Sequence, residues 1–322
     1  MYEVYDKWHI ISRDSYNYDH EPIEFTDIDH IVFTGMGGSG TIGDLFSSIL
    51  SKTNIHVSVV RGYLLPNTVD SNSLIVNTSI SGNTVETLNI LDSAKKKNCK
   101  VIAMSSGGKM ESYCKNNNID FRKIPQHHSP RASFAGFMYS SLKILHPILP
   151  IQETAIKESL SELSKLQSKI YSGNLLDDNL SLNLAHKING IPLIYYPHGL
   201  NASAIRFKNS LQENTKLHSM VEDVVETCHN GIVGWERPSN IQPILLQGDD
   251  DFIKTKERWK IIKEYFQEKN IEYTEIHSLK GNILTKLICL IYQLDYSTIY
   301  SAALSQIDPS PIKAIDYVKQ RL

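Results

Sequence analysis

The chain has 322 residues, 41% of them hydrophobic and 21% charged, a globular composition with length for two cores of roughly 150 residues each. Its 33 basic and 35 acidic side chains nearly cancel, so no general field attracts nucleic acid or a membrane surface, and an anionic ligand must be met by a local arrangement. Cys99, Cys114, Cys228 and Cys289 are far apart and form no CxxC pair, apolar runs such as 287–292 fall far short of the ~20 residues that span a bilayer, and no basic-then-apolar leader opens the chain. A soluble, cytoplasmic protein in a reducing compartment is expected, with neither nucleic acid nor membrane as partner.

Short β-branched runs at 31–34, 55–60, 74–77, 101–104 and 119–124 read as buried strands, with helices at 41–50, 84–97 and 110–116 between them. That alternation predicts βαβ units and a parallel sheet. A long helix follows at 134–145, stopped by Pro147 and Pro150. The pattern at 153–170 is an amphipathic helix, and 172–179 is polar. Alternation then resumes, with strands at 192–196, 243–247 and 271–276 and helices at 202–215, 252–269, 282–297 and 311–322. The expected class is α/β, with two three-layer αβα domains, each a mainly parallel sheet flanked by helices. The boundary is placed near Pro150, giving domains 1–150 and 151–322, without a residue-level repeat between them.

The sharpest local feature is Gly35-Met36-Gly37-Gly38-Ser39-Gly40, between the first strand and its helix. Glycines let a ligand approach the backbone, and a helix N-terminus offers unpaired N–H groups and a positive dipole end, so the loop suits phosphate. A tight turn without a ligand needs fewer glycines. Gly35, Gly37 and Gly40 also satisfy the GxGxxG dinucleotide fingerprint, which expects an acidic residue about 20 positions further on. The second strand ends instead at Val60-Arg61-Gly62, where Arg61 would favour NADP.

The loop after the third strand, Thr78-Ser79-Ile80-Ser81-Gly82-Asn83-Thr84, puts the hydroxyls of Ser79, Ser81 and Thr84 around another helix N-terminus. One of them is expected to act as an ordinary N-cap. Hydroxyls with free N–H groups suit a small phosphomonoester, whereas a pyrophosphate needs bare backbone along its length.

GMGGSG (35–40), SISGNTVETL (79–88) and SSGGK (105–109), in that order, resemble a sugar-isomerase (SIS) domain that binds sugar phosphates. PRASFAG (130–136), NSLQENTK (209–216), HNGIVGW (229–235) and DPSPIKAIDYVK (308–319) extend the likeness over nearly all the chain after residue 30. Together they resemble the bifunctional phosphoglucose/phosphomannose isomerases of the phosphoglucose isomerase superfamily. The resemblance implies two SIS domains and a homodimer whose active site also takes residues from the partner subunit. Its implied substrates are glucose 6-phosphate, fructose 6-phosphate and mannose 6-phosphate.

By position, the resemblance implies that Ser39, Ser79, Ser81 and Thr84 hold the phosphate while Gly37 and Gly38 line the sugar. Arg131 matches the arginine of the Pro-Arg-Ala motif, Glu213 the catalytic glutamate and His229 the histidine of the His-Asn motif. Lys319 matches the lysine of the final helix, with Lys313 close enough to leave that assignment open between the two. The chain departs from the family at Gly231 (often a carboxylate), Cys228 (often asparagine) and His218 (usually proline). Near its C-terminus the family has a threonine associated with mannose 6-phosphate, and the nearest hydroxyl here is Ser310.

Moving a carbonyl between C1 and C2 requires ring opening, removal of a proton beside the carbonyl and its return to the neighbouring carbon. Histidine and lysine suit ring opening, one carboxylate can serve both carbons, and a fixed arginine suits the charge of a cis-enediolate. His229 and Lys319 are accordingly assigned to ring opening, Glu213 to proton transfer and Arg131 to the enediolate. Glucose and mannose 6-phosphates give the same enediolate after rotation about C2–C3. No cofactor and no metal are expected, because His127 and His128 are adjacent rather than at i, i+4 and nothing resembles HExxH.

Without the resemblance these residues read more plainly. Ala204, Phe207 and Leu211 mark the buried stripe of 202–215, and Glu213 stands about 200° around the axis from Leu211, facing solvent. His229 would be a loop or core histidine, Arg131 a salt-bridging surface residue and Lys319 an exposed one. A non-catalytic sugar-phosphate sensor would commonly carry a helix-turn-helix, for which the segment before Ile31 has neither room nor basic charge. A glucosamine 6-phosphate synthase needs a cysteine after Met1, where Tyr2 stands. An NADP-dependent oxidoreductase is separated from these by a cofactor-binding test.

Overall fold

The computed structural model describes residues 1–321; Leu322, the end of the expected C-terminal helix, lies outside the described residues. Two compact units divide the chain, residues 4–164 and residues from 165 onward with 1–3. The elements up to residue 170 are α1 (Tyr2–Asp6), α2 (Trp8–Asn17), β1 (His30–Thr34), α3 (Gly38–Leu50), β2 (His56–Val60), β3 (Ser73–Ser79), α4 (Val85–Lys95), β4 (Lys100–Ser105), α5 (Gly108–Asn116), β5 (Asp120–Lys123), α6 (Phe134–Leu145) and α7 (Glu153–Ile170). The division at residue 164 falls within α7.

In the first unit five strands pair in parallel in the order β2-β1-β3-β4-β5. Every residue of β1 and β3 is buried, as expected where helices cover both faces of a parallel sheet. Val32, Ile75, Ile90 and Ala94 pack with Leu65 and Val69, and Leu91, Ala103, Met110 and Cys114 form a second cluster. Each fully buried Val, Leu, Ile or Met side chain among them contributes roughly 1.5–3 kcal/mol. The strand order reverses between β1 and β3, and in open parallel sheets the ligand crevice lies at that switch, outside the carboxyl ends of the strands.

The second unit contains α8 (Leu180–Lys187), β6 (Ile191–Tyr196), α9 (Asn201–Ser210), β7 (Met220–Asp223), α10 (Val224–Thr227), β8 (Ile241–Gln247), α11 (Ile253–Glu268), β9 (Thr274–His277), α12 (Ile283–Leu304) and α13 (Lys313–Lys319). Its four strands are parallel, in the order β7-β6-β8-β9. Tyr195, Val224, Leu245, Trp259 and Phe266 make its core beside α11. α12 is long and apolar enough to cross a membrane by length and composition, but 83% of its most apolar window is buried inside the protein. Packing against α8 and α9 accounts for that apolarity. The expected α/β class with two helix-flanked parallel sheets is therefore what the chain forms.

Two differences have local causes. α12 continues past the expected 297 to Leu304, where buried Ile299 and Ala302 are interleaved with buried Thr298, Tyr300 and Ser301, whose hydroxyls blur the apolar pattern. The expected helix 202–215 is α-helical only to Ser210, and Leu211–Thr215 form a π turn.

Two buried histidines of the first unit give a pH prediction. His30 is stacked on His56 at 4.4 Å and lies 2.9 Å from Ser58 Oγ; His20 lies 3.0 Å from Ser140 Oγ. Burial, aided by the His56 charge for His30 and the Arg122 charge for His20, holds both below the ordinary 6.5. Their folded values are depressed, so the unfolded chain takes up more protons in acid. The stability they contribute is present above about pH 6.5 and is lost as pH falls towards the folded values. The melting temperature is expected to drop between about pH 7 and pH 5.5, and to drop less when His30 is replaced by glutamine. A melting temperature that is flat or rises on acidification contradicts this.

Candidate functional site

β1 and β3 end side by side, with Thr34 opposite Asn77. Thr34 Oγ1 donates to Asn77 Oδ1 (2.8 Å) and Asn77 Nδ2 donates to the Thr87 carbonyl of α4 (2.8 Å). This buried polar line lies directly beneath the two loops. Above it the Ile80 amide donates to Ser39 Oγ (3.2 Å), joining the glycine loop to the hydroxyl loop. Ser79 Oγ donates to Thr84 Oγ1 (3.0 Å) and accepts from the Gly82 amide (3.1 Å), and Ser81 Oγ accepts from the Asn83 amide (3.4 Å). Ser39 and Ser79 are buried, Gly38, Ser81 and Thr84 half-buried, and Gly37 exposed.

Thr84 stands at the N-cap of α4, yet its hydroxyl turns to Ser79 and does not cap the helix. The expected side-chain N-cap is therefore not made. The residues preceding α3, α4 and α5 place no side-chain cap on those helices, although the Ser39 and Gly40 amides of α3 donate to the Met36 carbonyl and the Lys109 amide of α5 to Asn83 Oδ1. By contrast Asn179, Asp223 and Asn282 cap α8, α10 and α12. The start of α4 is thus left without a side-chain cap beside the hydroxyls of Ser79, Ser81 and Thr84, and an uncapped helix N-terminus with its positive dipole end attracts an anion.

The 105–109 loop buttresses this crevice. The Ser106 amide donates to the Ile80 carbonyl (3.1 Å), Met110 to Gly82 (2.9 Å) and Lys109 to Asn83 Oδ1 (3.1 Å). Gly82 has φ +69°, and a Cβ there would run into the Gly107 carbonyl and stand 2.6 Å from Ser105 Oγ. Arg61 forms an ion pair with buried Asp44 on α3, and its Nε lies against Gly40. Burial pushes the Asp44 carboxyl up and the Arg61 charge draws it back. The guanidinium required by the NADP reading is thus engaged by Asp44. Arg131 is 4% exposed, not a surface residue, because its turn is folded inward. There Ser133 Oγ accepts from the His127 amide (2.8 Å) and Trp8 Nε1 donates to the Ala132 carbonyl (2.9 Å).

Glu213, His229 and Lys319 belong to the second unit. Glu213 is half-buried in the π turn, flanked by exposed Gln212 and buried Asn214. The solvated reading assumed an unbroken α-helix, whereas i→i+5 bonding adds a residue to the turn and shifts the faces by about 100°. Lys216 follows with φ +60°, its Nζ donating to the Glu213 carbonyl and to the Pro311 carbonyl (2.8 Å). That ammonium ties the Glu213 turn to the lead-in of α13, on which Lys313 and Lys319 are both exposed.

His229 is the exposed apex of the segment after α10. Its amide donates to the Glu226 carbonyl (2.9 Å), and Asn230 Nδ2 donates to Glu226 Oε1 (2.7 Å). The Glu222 carboxylate, from β7, occupies the space where a side chain on Gly231 would begin. Among the described residues no three His, Cys, Asp or Glu side chains converge as metal ligands.

The structure gathers Gly37, Gly38, Ser39, Ser79, Ser81 and Thr84 at one crevice and links Glu213 to the α13 segment. Arg131 lies in the first unit and the other three candidates in the second. Sequence reasoning did not single out Thr34, Asn77, Asn83 or Lys216. Asn77 carried a signal, being an amide side chain at the end of an apolar strand, while Lys216 acts through carbonyls distant in sequence.

The SIS domain family model matches residues 24–145, and the model described as bacterial phospho-glucose isomerase C-terminal SIS domain matches residues 177–322. A bifunctional phosphoglucose/phosphomannose isomerase of Caldicellulosiruptor bescii is 34% identical over 310 residues, covering 93% of this chain and 91% of that protein. A D-glucosamine-6-phosphate 4-epimerase of Sulfolobus acidocaldarius is 27% identical over 252 residues, covering 77% and 78%. The crystal structure of a hypothetical protein from Thermus thermophilus aligns with TM-score 0.77 over 98% of this chain and 89% of that one; its 13% identity speaks to the fold alone.

Gly82 gives the sharpest stability test of these dovetailed loops. Gly82→Ala combines a left-handed conformation with a backbone clash and is expected to cost about 2–4 kcal/mol. Ser106→Ala removes one hydrogen bond, 2.7 Å to the Ile80 carbonyl, and is expected to cost about 1 kcal/mol. Urea unfolding measures both, and a Gly82→Ala cost no larger than that of Ser106→Ala contradicts the packing.

Proposed function

The chain belongs to the bacterial phosphoglucose-isomerase-type family with two SIS domains, and on that premise we propose that it is a metal-independent aldose–ketose isomerase. Its reactions are glucose 6-phosphate to fructose 6-phosphate and mannose 6-phosphate to fructose 6-phosphate, through a cis-enediolate. The crevice at the β1/β3 switch carries this reading. The uncapped start of α4 and the clustered hydroxyls suit a phosphomonoester dianion.

Ser39, Ser79, Ser81 and Thr84 hold the phosphate there, and Gly37 and Gly38 leave room for the sugar. His229 and Lys319, or Lys313 in its place, open the ring. Glu213 carries the proton between C2 and C1 on one face, and Arg131 steadies the enediolate charge. The site is completed in a homodimer, as in the family pattern. A second reading keeps the phosphate and moves the chemistry to C4, favoured by the epimerase relative.

A coupled assay in the presence of EDTA, with glucose, fructose, mannose and glucosamine 6-phosphates, tests both. Wild type is expected to interconvert the first three. Ser79→Ala is expected to raise KM about 10-fold or more, the loss of one hydrogen bond to a charged group. Turnover of glucosamine 6-phosphate alone favours the epimerase reading, and binding of fructose 6-phosphate with no turnover makes the chain a sensor.

A further inference from the structure

α9 ends irregularly. Its ten α-helical residues are followed by five in i→i+5 bonding and then by Lys216 in the left-handed region. Non-glycine residues adopt that region at a cost, and π turns are rare, so external contacts must hold this ending.

The contacts lie on the face of α9 that packs on α12. Arg206 donates to the Asp295 carboxylate through Nε (3.0 Å to Oδ2) and Nη2 (2.7 Å), and Ser210 Oγ donates to Asp295 Oδ1 (2.6 Å). Four residues further on, buried Asn214 donates through Nδ2 to Thr298 Oγ1 (2.8 Å). The Thr298 hydroxyl spends its own proton on the Asp295 carbonyl (2.6 Å), which fixes it as an acceptor for Asn214. Within the turn the Thr215 hydroxyl donates to the Leu211 carbonyl, meeting the group that loses its α-helical amide when the turn widens.

Arg206 and Ser210 already dock α9 on α12, so docking alone does not require Asn214. Its bond is made by the residue next to Glu213, inside the widened turn. We propose that Asn214 and Thr298 are positioning residues whose buried hydrogen bond holds the π turn Leu211–Thr215 and so sets the direction of the Glu213 carboxylate. The kinetic consequence rests on Glu213 being the proton-transfer group; the geometric claim stands on the helix itself.

Thr298→Val keeps the side-chain shape and removes the acceptor, whereas Thr298→Ser keeps the hydroxyl. Crystal structures of both variants, with steady-state kinetics on fructose 6-phosphate, form the test. In Thr298→Val, residues 211–215 are expected to return to α-helical bonding with Glu213 rotated by about 100°. Its kcat should fall about 10-fold or more while KM stays within about 3-fold, as misplacement of a reacting group predicts, and Thr298→Ser should behave as wild type.

A Thr298→Val structure that retains the π turn with Glu213 unmoved overturns the proposal, as does a relaxed turn with wild-type kcat. Should that variant fail to fold, Asn214→Ala removes the donor, leaves the Thr298 hydroxyl on Asp295 and is judged by the same outcomes. A wild type without turnover defeats the isomerase reading, and the crystal structures then decide this proposal alone.

Discussion

The hydrogen-bonded line from Thr34 through Asn77 to the Thr87 carbonyl is the constraint on which the site depends. It fixes the ends of β1 and β3 at one strand spacing, about 4.8 Å, and ties α4 to both. Two helix starts are thereby aimed at one place, and Ser39 can reach the Ile80 amide across the gap. A parallel sheet leaves its crevice at the reversal of strand order. Here that general position acquires glycine backbone and hydroxyls suited to phosphate.

The second unit repeats the architecture without repeating that chemistry. Its own reversal lies between β6 and β8, whose carboxyl ends lead into Pro197-His198-Gly199 and Gly248-Asp249-Asp250-Asp251. Three aspartates repel a phosphate where the first unit offers hydroxyls. Asp249 lies 3.6 Å from the Lys280 ammonium, Asp250 pairs with Lys286, and Asp251 accepts from the Gly248 amide and Trp259 Nε1, so all three have structural partners. What this unit supplies is α9 seated on α12 by a buried ion pair, Arg206 at 2% and Asp295 at 0% exposure. Removing one partner of such a pair costs about 3–5 kcal/mol, whereas replacing both with apolar residues is often neutral. The polar seam therefore makes more sense as a device of register than of stability.

Much of this was legible in sequence because it is local. The apolar run of β3, the helices at 134–145 and 153–170, and the loops at 35–40 and 79–84 each announce themselves through period or composition. What stayed hidden depends on partners far away in the chain. β7, Met-Val-Glu-Asp, is four residues long, pairs only with β6 among the described strands and shows no alternation. The π turn within Asn209–Lys216 has no residue pattern of its own, since its support is Thr298, 84 positions from Asn214. Thr84 resembles a cap, but Ser79 takes its hydroxyl. The Glu222 carboxylate over Gly231 joins two positions whose relation appears only once β7 and the His229 segment are folded.

Proton transfer by Glu213 is the central claim, and isotope exchange tests it most directly. Fructose 6-phosphate is incubated in D2O with wild type and with Glu213→Gln, and deuterium at the exchanged carbons is followed by NMR, alongside a binding measurement. Wild type should incorporate solvent deuterium during isomerisation, and Glu213→Gln should bind the sugar phosphate yet exchange at least ~100-fold more slowly, the scale of a lost general base. Exchange at the wild-type rate in Glu213→Gln would contradict the account, because the proton would then be moved by another group.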